Sequence, residues 1–135
     1  MTAVLIDSNV LLDLMTEDPD WFPWSAAALA DAADRSRIVI NAIVHGEVSV
    51  RYSRIEDLED ALPKGMIERE PIPYEAGFLA GKAFLAYRRR DGEKRSPLPD
   101  FLIGAHAAVA GYRLLTRDAT RYRTYFPGLG LIAPG

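Results

Sequence analysis

The chain has 135 residues, 49% of them hydrophobic and 26% charged, with a formal net charge of −3, an ordinary balance for one globular domain. It contains no cysteine, which excludes disulfides and thiolate-held metals. No apolar run approaches the roughly 20 residues of a membrane helix, and the N-terminus lacks the basic start and unbroken apolar region of a secretory signal. The expectation is a cytoplasmic protein in which residues 1–135 form a single domain.

In chain order, "AVLI" reads as a first buried strand ending at Asp7. Pro19 to Pro23 reads as a loop, after which Ser25 has the chemistry to cap a helix through "AAALADAADR". "RIVI" is a second strand, and Asn41 caps the helix that carries Glu47. Ser53 and Glu56 have capping-box spacing, with Ile55, Leu58 and Leu62 on the inner side of the helix they would open. "MIERE" is a short strand. Pro73 suits the first turn of a long helix that turns Leu79, Ala83 and Phe84 to the core and stops near Gly92. "SPLPDFLIGAHAAVAG" is a further helix, opened by prolines and closed by Gly111. "YRLLT" is a strand ending near Asp118, "RYRTYF" belongs to a short turn, and "GLGLIA" is a last strand. Short apolar strands alternating with helices predict an α/β fold whose parallel sheet is covered on both faces.

Charge is unevenly spread. Residues 82–123 hold ten bases and four acids, +6 in all, whereas the rest of the chain carries −9. The cluster "YRRRDGEKRSP" dominates the basic span and suits an anionic partner as well as it suits a solvated helix face.

Asp7 is the residue that most needs explaining. Apolar residues flank "DSN" on both sides, and an ionised carboxylate without a partner is costly to bury. Open parallel sheets bind ligands beyond the carboxyl ends of their strands; Asp7 and Asp118 both follow strands. Asp100 lies in the first turn of its helix, and Glu47 sits mid-helix among valines. Four carboxylates from four elements would repel one another if they met, and the natural occupant is a hard divalent cation such as Mg2+ or Mn2+. His106 and His45 fall on other faces of their helices than Asp100 and Glu47, as packed or surface residues. Each acid also has a plain structural reading. Asp7 could cap a turn, Asp118 could open a helix, Asp100 could complement a helix dipole and Glu47 could pair with Arg51.

The order of motifs resembles the PIN-domain ribonucleases, and in particular the VapC-type toxins of bacterial toxin–antitoxin pairs. "LIDSNVLLDL", "INAIVHGEV", "PDFLIGAHAAVAGYRLLTRDATRY" and "GLGLIAP" carry the resemblance over essentially the whole chain. It implies a three-layer α/β/α fold around a mainly parallel sheet, and a nuclease whose acids hold Mg2+ or Mn2+. By motif those acids are Asp7, Glu47, Asp100 and Asp118, with Asn9 and Thr116 as polar helpers. Water activated at the metal would hydrolyse RNA phosphodiesters, leaving a 5′-phosphate and a 3′-hydroxyl. Arg88, Arg89, Arg90, Lys94 and Arg95 would lead the RNA backbone toward the acids, and Tyr122, Tyr125, Trp21 and Trp24 could stack bases. The resemblance further implies a homodimer and a VapB-type antitoxin, in a heterotetramer or larger assembly. Two other readings compete: a phosphatase of the haloacid dehalogenase type with Asp7 as nucleophile, and a catalytically silent module that binds RNA or protein.

Overall fold

The computed structural model describes residues 2–62, 65–90 and 97–135. Five parallel strands form one sheet: β1 (Ala3–Ile6), β2 (Arg37–Ile40), β3 (Ile67–Arg69), β4 (Arg113–Leu115) and β5 (Leu131–Ile132), in spatial order β3-β2-β1-β4-β5. Seven helices among the described residues complete a three-layer α/β/α arrangement: α1 (Ser8–Met15), α2 (Phe22–Arg35), α3 (Ala42–Ser49), α4 (Ile55–Ala61), α5 (Tyr74–Arg90), α6 (Leu98–Ala110) and α7 (Thr120–Tyr125). All four residues of β1 are buried, as befits a central strand covered on both sides. None of the helices among the described residues is long and apolar enough to cross a membrane.

The strand order places the site. The chain runs from β1 outward through β2 and β3, then returns across the sheet to lay β4 on the other flank of β1. That reversal lies between β1 and β4, the topological switch point where open α/β sheets leave a crevice beyond the strand ends. Leu5 pairs with Leu114 and Ile6 with Leu115, and the Asp7 amide donates to the Leu115 carbonyl at 2.9 Å. Asp7 and Thr116 therefore leave the sheet side by side.

Local chemistry accounts for most boundaries and corrects several expectations. Asn41 caps α3 as expected, its Oδ1 accepting from the Ile43 and Val44 amides. Gly111 ends α6 with φ 73°, a left-handed conformation that glycine adopts without a Cβ clash. Ser25, in contrast, is no cap. α2 starts at Phe22 with Pro23 in its first turn, and the buried Ser25 hydroxyl donates to Asp13 at 2.7 Å. Ser53 and Glu56 form no capping box. α4 opens at Arg54 without a side-chain cap, Glu56 accepts from the Arg54 guanidinium, and Ile55 points outward at 63% exposure while Leu58 and Leu62 are buried. Of the inner face expected for α5, Ala83 is buried and Leu79 and Phe84 pack half-buried against the core. "RYRTYF" is mostly helix rather than turn, since it supplies all but the first residue of α7. The expected stop near Gly92 lies outside the described residues.

Candidate active site

Beyond the ends of β1 and β4 lies a cleft of about 610 Å3, lined among others by Asp7, Asn9, Asp100, Asp118, Arg90 and Arg121. Asp7 is 4% exposed. It is the N-cap residue of α1, yet its side chain caps nothing. Its Oδ2 instead accepts from Thr116 Oγ1 at 2.9 Å, Tyr122 OH at 3.0 Å and Asn9 Nδ2 at 3.4 Å. All three donors are neutral. Burial pushes the Asp7 carboxyl up to about 6, the Thr116 and Tyr122 hydroxyls pull it back, and the charges of Asp100 and Glu47 raise it further.

Thr116 and Asn9 join the two strand ends. The Thr116 hydroxyl, donating to Asp7, accepts from Asn9 Nδ2 at 3.2 Å and from the Asp118 amide at 3.1 Å. The Arg117 amide closes the ring by donating to Asn9 Oδ1 at 3.3 Å. Asp118 is exposed on this loop.

Asp100 enters from the first turn of α6. Its Oδ2 accepts from Arg121 Nη1 at 2.8 Å, and the Arg121 guanidinium also lies over the Tyr87 ring at 5.6 Å. Burial raises the Asp100 carboxyl, Arg121 opposes that shift, and the Asp118 charge adds to it. Glu47 stands just behind the lining, where the hydroxyl of Ser8, itself in the lining, donates to its Oε1 at 2.8 Å. Burial raises the Glu47 carboxyl, the Ser8 bond lowers it, and the Asp100 charge raises it again. Among the described residues Glu47 makes no ion pair with Arg51.

The fold thus gathers Asp7, Asn9, Asp100, Thr116 and Asp118 around one cleft, with Glu47 tied to its wall. The donors are all hard oxygens, which suit Mg2+ or Mn2+ rather than zinc. They surround the cleft loosely: among the described residues no three His, Asp or Glu side chains stand close enough to share an ion. One of these acids, Asp100, is already paired with the Arg121 guanidinium.

Ser8 and Arg121 escape a reading of residue types, and Tyr122 is read there in a different role. Ser8 sits in plain view inside "DSN", and its task shows only once α3 brings Glu47 alongside. Arg121 and Tyr122 belong to α7. Tyr122 is 3% exposed and anchors Asp7, so it cannot stack bases; burial, followed by the Asp7 charge, pushes its hydroxyl far up. Tyr125 packs half-buried against Phe101, with centroids 5.2 Å apart, and also lines the cleft. Trp21 and Trp24 meet edge-on. Arg88, Arg89 and Arg90 form the exposed last turn of α5, and Arg90 reaches the cleft. Lys94 and Arg95 lie outside the described residues. His106 is packed: it is 1% exposed and its Nδ1 accepts from Asn41 Nδ2 at 3.0 Å. Burial lowers its basicity.

A family model described as the PIN domain matches residues 4–127. The chain belongs to the PIN-domain family. Solved structures similar to this PIN domain include VapBC2 from Rickettsia felis bound to a DNA fragment from its promoter, at 19% identity and TM-score 0.71 over 98% of each chain. VapBC-1 from nontypeable Haemophilus influenzae matches at 16% identity and TM-score 0.72, again over 98% of each chain. VapC20 from Mycobacterium tuberculosis, a toxin described as cleaving the sarcin-ricin loop, matches at 13% identity and TM-score 0.63, over 90% of this chain and 94% of its own. No curated protein sequence matches the chain.

Proposed function

We propose that this PIN domain is a divalent-metal-dependent endoribonuclease, the VapC-type toxin of a toxin–antitoxin pair. One observation carries the reading. Asp7 is buried at the sheet's switch point with no capping duty, its carboxyl is pushed up to about 6, and Glu47 and Asp100 add charge beside it. Such excess negative potential favours a cation, and a cation flanked by carboxylates favours a phosphodiester.

A bound Mg2+ or Mn2+ would neutralise charge building on the phosphate and lower the pKa of an attacking water. Asp7, Asp100 and Asp118 would hold it directly or through water. Glu47, fixed by Ser8, is placed to ligate or to take a proton from water. Thr116 and Asn9 orient Asp7 and keep the two strand ends in register. Arg88, Arg89 and Arg90, with Lys94 and Arg95, supply positive charge for the phosphate backbone of RNA.

The similarity to structures described as VapBC supports a VapB-type antitoxin as partner and a larger toxin–antitoxin assembly. The described activity of VapC20 supports RNA as substrate. Incubation of the purified protein with total RNA in Mn2+, in Mg2+ and in chelator tests the proposal. Fragments bearing 5′-phosphates, formed only with metal and lost in Asp7→Asn, are expected. RNA left intact in both metals would refute it.

A further inference from the structure

Outside the acid cleft, a second carboxylate–guanidinium pair involves a buried acid. Asp13, on α1, is 2% exposed and accepts from Arg117 Nε at 2.8 Å on one oxygen and 3.1 Å on the other. The Ser25 hydroxyl of α2 donates to the same carboxylate at 2.7 Å, and the Arg117 guanidinium lies over the Trp21 ring at 5.4 Å. A carboxylate so deeply buried is expensive to keep without its cation. What the pair holds in place explains its position. Arg117 stands between Thr116 and Asp118, and its amide donates to Asn9, whose own amide donates to Asp7 and Thr116.

We propose that the Asp13–Arg117 pair is a positioning device for the acid cleft, fixing the loop that carries Thr116 and Asp118 against Asn9 and Asp7. The inference rests on the nuclease reading for its kinetic consequence and on geometry alone for its effect on the site. The side chain is tied at one end to Asp13 on α1 and to Trp21 just ahead of α2, and the backbone at the other end is tied to Asn9, so the loop has little freedom to slide. Displacing Arg117 by an ångström shifts Asp118 and loosens the Asn9 bridge at the same time. Misplacement of that size costs catalysis about 10- to 100-fold without removing any group that touches substrate.

The conservative variant Arg117→Lys separates positioning from folding, because it keeps the charge that Asp13 needs but loses the Nε donor and the planar group over Trp21. The variant is expected to stay folded, to lose about 10-fold or more in kcat with KM within about twofold, and to bind Mn2+ several-fold more weakly by electron paramagnetic resonance. Asp13→Asn should move both quantities in the same direction. Parental kcat and parental Mn2+ affinity in a folded Arg117→Lys protein would overturn the inference. If the parent itself cleaves no RNA, the nuclease reading falls, and the Mn2+ affinities of parent and variant still decide the positioning role.

Discussion

Replacing Asp7 by asparagine should do two opposite things, destroying cleavage and stabilising the fold. Asp7 titrates at about 6 in the folded protein against 3.8 for an unperturbed aspartate. Each unit is worth about 1.4 kcal/mol, so keeping this carboxylate ionised costs the native state about 3 kcal/mol. The sign follows from proton binding. The folded chain holds the Asp7 proton more tightly than the unfolded chain does, so this residue's contribution to stability falls as pH rises from about 4 to about 6. Above that window the penalty is fully present. Asp7→Asn removes it, and the asparagine oxygen can still accept from the Thr116 and Tyr122 hydroxyls.

Thermal unfolding followed by circular dichroism at pH 8 and pH 4 reads the effect. A domain of this size gains about 3 to 4 °C in Tm per kcal/mol, so Asp7→Asn should melt about 9 to 12 °C above the parent at pH 8 and close to it at pH 4. Mn2+ should raise the parent's Tm, by mass action on the folded state, and leave the variant's unchanged. A variant less stable than the parent at pH 8, or a difference identical at the two pH values, would mean that Asp7 is not an uncompensated charge.

Tyr122→Phe deletes a hydroxyl that lowers the Asp7 carboxyl. The acidic limb of the pH–rate profile, where activity rises as the carboxylate ionises, should move to higher pH, and an unmoved limb would take Tyr122 out of the site. Ser8→Ala frees Glu47 from the bond that opposes its upward shift, so kcat should drop while Tm changes by less than about 1 kcal/mol equivalent. Unchanged kcat would leave Glu47 without a positioning partner. Gly104→Ala puts a Cβ 2.9 Å from both Phe126 Cε2 and Tyr122 Cδ1, an overpacking that should cost about 1 to 3 kcal/mol in urea unfolding. Neutralising Arg88, Arg89 and Arg90 together should flatten the plot of log affinity for single-stranded RNA against log salt by about 2 units, near 0.7 per lost phosphate contact. An equal slope would place the RNA path elsewhere.

How far the sequence reveals this site depends on which element carries each residue. Asp7 stands out because apolar residues flank it and a strand leads into it, and the same strand-end logic marks Asp118. Asn41 is legible as a cap because the residues after it form a regular apolar helix. α7 is another matter. Its six residues are Thr, Arg, Tyr, Arg, Thr and Tyr, of which Thr and Tyr are weak helix formers, and it is too short to hold as an isolated helix. Packing makes it: Tyr122 and Phe126 lie against α6 where Gly104 has no side chain. Without that helix, neither Arg121 beside Asp100 nor Tyr122 beneath Asp7 can be inferred. Ser25 misleads for a related reason, since a serine that donates to a buried carboxylate inside a helix looks, in sequence, like one that caps a helix end.

The carboxylates in and behind this cleft solve the same electrostatic problem in different ways, and the differences point to where a cation is wanted. Asp13 has a guanidinium of its own in Arg117, and Asp100 has one in Arg121. Asp7 and Glu47 have hydroxyl donors instead, from Thr116 and Tyr122 in one case and Ser8 in the other. Hydroxyls orient a carboxylate and lower its pKa, but they bring no charge, and burial outweighs them at both residues. Arg117 is committed to Asp13 and to the Trp21 ring, whereas Arg121 lines the cleft. The fold therefore supplies positive charge at one lip of the pocket and withholds it from the floor at Asp7. On the nuclease reading, an ion drawn to that floor would find Asp100 already paired with Arg121, so Arg121 is the side chain with which it must compete.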